Sequence, residues 1–173
     1  MFTPVRSRRH EAALTFAAVA AVTAGMGPAF ADEAVAARMT SLVGTWTCVS
    51  HADGKAMNYT VKYSRAGDHW LHYAADYQAG MGEPAHTEEA ELGYDQKRQR
   101  WVFLNTSSTG DYFVGTSSGA PAATTQVWTT AYPADPTGGS LTIDYASPSK
   151  MTLVSKWTEK GKAMSGTDVC TKR

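Results

Sequence analysis

The stretch Met57-Asn58-Tyr59-Thr60-Val61-Lys62-Tyr63-Ser64 decides the fold. Met57, Tyr59, Val61 and Tyr63 fall on one parity, and Asn58, Thr60, Lys62 and Ser64 on the other. Successive side chains of a strand point to opposite faces, so this segment reads as a strand with one dry face and one wet face. The same alternation sets Ala90, Leu92 and Tyr94 against Glu89, Glu91 and Gly93, and Leu141, Ile143 and Tyr145 against Thr142 and Asp144. Outward from these segments, β-branched and aromatic runs predict strands at 42–50, 56–64, 68–77, 87–95, 100–106, 111–117, 123–132, 139–146, 150–158 and 163–171. Between them lie turns such as Arg65-Ala66-Gly67-Asp68, Asp95-Gln96-Lys97-Arg98, Ser108-Thr109-Gly110-Asp111, Pro136-Thr137-Gly138-Gly139 and Glu159-Lys160-Gly161-Lys162.

Short links join antiparallel neighbours, so the strands form a meander. One-sided strands with open edges invite aggregation, and the meander must either close or pack on a second sheet. Cys48 and Cys170, the only cysteines, stand near the two ends of the strand series. An even pair in an oxidising compartment reads first as a disulfide; the alternatives are two buried thiols or a reactive cysteine. A bridge would make the first and last strands neighbours and favours closure over a sandwich. The expected fold is all-β: a single up-and-down antiparallel β-barrel of about 8–10 strands, preceded by a short helix in which Val35, Met39 and Leu42 recur at helical spacing.

The first 31 of the 173 residues read as an export signal: Arg6, Arg8 and Arg9, an apolar stretch from Ala12 to Ala24, and a small-x-small site at Ala29-Phe30-Ala31. Arg8-Arg9 also suggests twin-arginine export, although Glu11 and Ala12 stand where such signals carry apolar residues. Cleavage near Ala31 would place the barrel domain at 32–173, in the periplasm or outside the cell. Removing Arg6, Arg8, Arg9 and Glu11 leaves 13 basic against 15 acidic residues. That balance argues against a nucleic-acid partner, which would need a basic stripe. No other apolar run is long enough to span a membrane as a helix. A chain of this length buries about 68% of its unfolded surface, consistent with one domain.

Leu42-Val43-Gly44-Thr45-Trp46, opening the first strand after a short helix, resembles the G-x-W start of lipocalins, avidins and related closed barrels, in which the tryptophan packs across the barrel floor. With Trp70-Leu71, the Gly80-Met81-Gly82-Glu83-Pro84 loop, and Leu92-Gly93-Tyr94-Asp95 leading into Trp101, the order looks like a family of uncharacterised secreted bacterial proteins with a lipocalin-like barrel. The resemblance implies a fold and no activity. Fatty-acid-binding barrels carry an Arg-x-Tyr pair in the last strand, where this chain reads Gly166-Thr167-Asp168-Val169-Cys170. Haem-binding barrels that share the G-x-W start take a histidine from near the C-terminus, and none follows His86. A full set of polar biotin contacts, as in avidins, is not matched.

Other candidate chemistry is weak. His69 and His72 make an H-x-x-H, but residues three apart on a strand point to opposite faces, and no cofactor or metal is implied. Gly115-Thr116-Ser117-Ser118-Gly119 matches a hydrolase G-x-S-x-G, yet it leads into another strand rather than a helix. Glu88, Glu89 and Glu91 form an acidic cluster of the kind that paired carboxylates for acid/base work would need, but Glu89 and Glu91 share the face opposite Ala90, Leu92 and Tyr94, and the cluster reads as a solvated outer face. Asn105, Asp111 or Asp168, if inward, must be paired or wet. Catalysis would require inward His72, Asp111 or Asp168 to converge.

Five tryptophans fall on five different expected strands, with eight tyrosines besides. They either fill a core or line a cavity. The reading is a barrel binding a small, mostly apolar molecule, lined by Trp46, Trp70, His72, Tyr94, Trp101, Phe103 and Trp128, without catalysis, and with loop 78–87 as portal or lid. The alternative is a filled barrel acting through its surface as an envelope-associated module.

Overall fold

The computed structural model describes residues 28–133 and 139–173, with side chains from Asp32 onward. The export-signal reading therefore lies outside the described residues, except for the backbone of 28–31, as does most of the turn expected at 136–139. Helix α1 (Pro28–Leu42) is followed by β1 (Gly44–Ala52), β2 (Lys55–Arg65), β3 (Trp70–Tyr77), β4 (His86–Asp95), β5 (Arg100–Ser107), β6 (Tyr112–Ser117), β7 (Thr125–Tyr132), β8 (Ser140–Ser147), β9 (Lys150–Glu159) and β10 (Lys162–Lys172). Each strand pairs antiparallel with its sequence neighbours, and β1 pairs with β10 to close a ten-strand, up-and-down barrel of the lipocalin-like kind.

The alternation on β2 holds: Met57, Tyr59 and Val61 are buried and face inward. So do Ala90, Leu92 and Tyr94 on β4. At the seam, Cys48 on β1 stands directly opposite Cys170 on β10, and the two form a disulfide. The bond crosses the closing pair of strands and constrains a loop of 122 residues.

Helix α1 closes one end of the barrel. Its starting point is earlier than the sequence spacing suggests, and the expected cleavage position near Ala31 falls within its first turns. Val35, Met39 and Leu42, spaced to share one helical face, are buried against the barrel. Trp46 follows at once, and its indole Nε1 donates to the Leu42 carbonyl at 2.8 Å, capping the last turn of the helix from inside. Gly44 makes this junction at φ 130°, a conformation that L side chains rarely adopt. The Lys172 stem passes 2.8 Å from where a Cβ would stand, on its way to donate from Nζ to the Ser41 carbonyl. Around the rim, Arg65 Nη2 donates to Thr40 Oγ1 at 2.6 Å, Gln96 donates to Asp32, and Arg38 Nη2 donates to the Ala123 carbonyl at 2.6 Å. The helix is thereby tied to β2 and β10 and to the β4–β5 and β6–β7 connections.

Replacing both Cys48 and Cys170 with serine should lower the free energy of unfolding by up to about 4–5 kcal/mol, the chain-entropy figure for a loop of this size. Urea unfolding followed by circular dichroism checks this, with the native spectrum unchanged; an unchanged midpoint would show that the bridge contributes nothing beyond the strand pairing.

Candidate ligand-binding cavity

Inward side chains divide the interior into a packed floor and a hollow. Beside α1, on the β1–β5 side, Trp46, Leu71, Tyr94 and Trp101 fill the barrel, with Trp46 and Trp101 at 2% and 1% exposure. Tyr94 and Trp101 meet edge to face, with ring centroids 5.2 Å apart. Above this floor and towards β7–β10 lies a cavity of about 370 Å³. Its walls are aromatic and aliphatic: Tyr59 and Tyr63 from β2, Tyr73 and Tyr77 from β3, Phe103, Trp128 and Trp157 from β5, β7 and β9, and Leu141, Ile143, Leu153 and Met151 from β8 and β9. The rings form a continuous chain of contacts, Tyr63 to Tyr73 at 5.4 Å, Tyr73 to Phe103 at 5.3 Å and Phe103 to Trp128 at 6.4 Å, each roughly edge to face.

Of the side chains expected to line an interior, Phe103 and Trp128 do so. Trp46, Tyr94 and Trp101 point inward but belong to the packed floor, outside the cavity wall. Trp70 and His72 require correction, because both stand on the outer face of β3. The inward parity of this strand belongs to Leu71, Tyr73, Ala75 and Tyr77. Trp70 pairs in register with Gly93 and lies over it from outside, where any Cβ would collide with the indole. His72 Nδ1 is 3.1 Å from Glu91 Oε1 on the neighbouring strand, also outside. The preference for the larger tryptophan chose the wrong face, although three further apolar residues share the parity of Leu71.

Two carboxylates are in the wall. Asp168 on β10 accepts from Tyr59 Oη at 2.8 Å. Glu88 on β4 accepts at Oε2 from Asn105 Nδ2 at 3.1 Å and from Tyr77 Oη at 3.4 Å. Tyr77 stacks on Tyr59 at 4.5 Å on one side and on His86 at 4.6 Å on the other. Its hydroxyl is also 3.3 Å from that of Tyr73. Both inward carboxylates are therefore paired, as burial demands, whereas the buried Gln126 Nε2 and the indole N–H groups of Trp101 and Trp128 have no hydrogen-bond partner among the described residues. Burial pushes the phenols of Tyr59, Tyr63, Tyr73 and Tyr77 well above their ordinary range, with Asp168 adding to the effect at Tyr59 and Glu88 at Tyr77. Burial likewise raises Glu88, opposed by its hydrogen bond from Asn105. At the helix end, Tyr145 is pushed up to about 12 by burial, against the lowering effect of Arg38, whose guanidinium lies 3.8 Å over the ring.

Glu88 was missed as a wall residue, although it shares the parity of Ala90, Leu92 and Tyr94; the wet neighbours Glu89 and Glu91 masked it. The convergence needed for catalysis is not found. His72 is outside, and Asp111 is exposed in a turn, accepting from Thr109 Oγ1 at 2.9 Å. Ser117 ends β6 with its Oγ accepting from the Gly119 amide at 3.3 Å, and the chain runs on into β7 as the hairpin reading expected. Among the described residues, no group of three or more His, Cys, Asp or Glu side chains could hold a metal ion.

The barrel is similar to solved structures. The M. tuberculosis protein Rv2717c superposes with a TM-score of 0.57 at 13% identity, covering 81% of this chain and 97% of that one. An S-type phycobiliprotein lyase, CPES from Guillardia theta, gives a TM-score of 0.52 at 14% identity, covering 78% of this chain and 90% of that one. At such identities the likeness is one of fold. No family model matches the chain, and no curated protein matches it.

A carboxyl whose folded-state pKa is raised contributes stability that is present below the ordinary glutamate value of 4.5 and lost as pH rises through the folded value. Glu88 should therefore make the protein lose stability as pH climbs from 4 towards neutrality, and the Glu88→Gln variant should lack this part of the decline. Urea midpoints across that pH range check it; parallel curves for the two proteins would contradict the assignment.

Proposed function

We propose that this protein binds a small, mostly apolar molecule inside the barrel and catalyses no reaction on it. The observation that carries the reading is the cavity of about 370 Å³ bounded by aromatic rings. Binding sites for small molecules are concave, mostly apolar hollows of about 300–1,000 Å³ with a few placed polar groups, and this hollow has both features. The walls supply affinity by apolar burial, and Glu88, Asp168 and the tyrosine hydroxyls supply orientation. Entry is assigned to the barrel end opposite α1, where the β3–β4 loop forms a tight turn with Met81 and Gly82 at positive φ and a Gly80–Glu83 bridge. The relation to an uncharacterised secreted bacterial family, and a periplasmic or secreted location, belong to this same reading. The disulfide supports the location, and no described helix is long and apolar enough to cross a membrane.

Two tryptophans separate the wall from the floor. Titration with the neutral probe N-phenyl-1-naphthylamine should be saturable and should shift tryptophan emission. Trp128→Ala should weaken the probe about tenfold, equivalent to ~1.4 kcal/mol, because its ring forms wall. Trp101→Ala should instead cost about 3–5 kcal/mol of stability, as a large deletion from a packed region does, with little effect on the affinity of the folded protein. Absence of saturable binding, with both variants altering only stability, would favour a barrel that works through its surface.

A further inference from the structure

Resting on the reading of the cavity as a binding site, the wall chemistry narrows the class of occupant. Among the described residues, two ionisable acids are in that wall, Glu88 and Asp168, and the one basic residue is Lys156, whose exposed side chain stands on the outer parity of β9 between inward Ser155 and Trp157. Arg38 approaches only from the helix end, committed to the Ala123 carbonyl and to the ring of Tyr145. His86 sits beside Glu88, stacked on Tyr77, with Nδ1 3.1 Å from the Pro84 carbonyl.

Each carboxylate has one oxygen engaged and one open. Tyr59 donates to Asp168 Oδ2, and Asn105 and Tyr77 both donate to Glu88 Oε2. No hydrogen bond among the described residues reaches Asp168 Oδ1 or Glu88 Oε1. Between the two acids stand the stacked rings of Tyr59 and Tyr77, 4.5 Å apart at centroids, whose hydroxyls contact one carboxylate each. Both faces of Tyr77 are covered, by Tyr59 and by His86, so a cation here meets the hydroxyl oxygens of the pair and the open carboxylate oxygens rather than the face of Tyr77. A third negative charge brought here would be repelled by both carboxylates in surroundings that screen poorly. A positive charge would compensate both.

We propose that the occupant is an organic cation, an apolar body bearing an amine or quaternary ammonium head that lodges between Glu88 and Asp168 beside Tyr59 and Tyr77. The body lies among Phe103, Trp128 and the aliphatic side chains of β8 and β9. The open oxygens of Glu88 and Asp168 supply the counter-charge on either side of the tyrosine pair. This gives a reason for two acids on the inward parity of an otherwise aromatic and aliphatic wall.

Calorimetric titration of the full chain with three probes of equal length, decyltrimethylammonium, decanol and decanoate, all below their micellar range, tests the proposal. The cation should bind at least about tenfold tighter than the alcohol, and decanoate more weakly than both. Glu88→Gln and Asp168→Asn keep an acceptor for Tyr77 and Tyr59, and each should weaken the cation about tenfold while leaving decanol within about twofold. Decanol or decanoate binding as tightly as the cation, or equal losses for all three probes in the variants, would overturn the charge assignment while leaving the cavity a binding site. Failure of all three to bind native protein would overturn the binding-site reading, and the cation with it.

Discussion

A ring of ten strands encloses more width than one layer of inward side chains can fill. About eight strands give an interior just wide enough for side chains to meet or to hold one small ligand, and diameter grows with strand number. Closure is fixed at the β1–β10 seam, where Cys48 and Cys170 face each other in register. The width set there is then taken up unequally. Near α1 the helix inserts Val35, Met39 and Leu42, and the indoles of Trp46 and Trp101 complete a packed floor. Away from it, tyrosines and phenylalanines stand against the wall and leave the centre open.

Trp46 links these two halves. Its indole bond to the Leu42 carbonyl fixes where the helix stops, so the plug cannot slide further into the barrel without losing a buried hydrogen bond. Gly44 permits the sharp change of direction between plug and wall. The polar side chains higher in the barrel show the opposite priority. Glu88 is raised by burial and held by Asn105, an arrangement that costs stability in its ionised state and is understandable where the carboxylate meets something other than protein.

Much of this was legible in the sequence because strand periodicity and turn chemistry are local. Met57, Tyr59, Val61 and Tyr63 announce a one-sided strand without reference to anything else, and the pair of cysteines, one in the first strand and one in the last, announces ring closure. The face of β3 was not legible in the same way, because both parities carry large rings and only the partner strand decides. Trp70 is outside because Gly93 provides the groove that receives it. The division between floor and cavity is also non-local: Trp101 and Phe103 share a parity on β5, yet one packs near the helix and the other lines the hollow. Glu88 was readable from its parity with Ala90 and Leu92, and was obscured by the expectation that acids near each other on a strand are all solvated.

The most direct test of the central claim is native mass spectrometry of the protein purified from its own host without denaturation, compared with the same sample after organic extraction. The account predicts a reproducible added mass, consistent with a small molecule, that disappears on extraction while the disulfide-bonded chain remains. A bare chain in both samples, from protein that also fails to take up added small molecules, would contradict it.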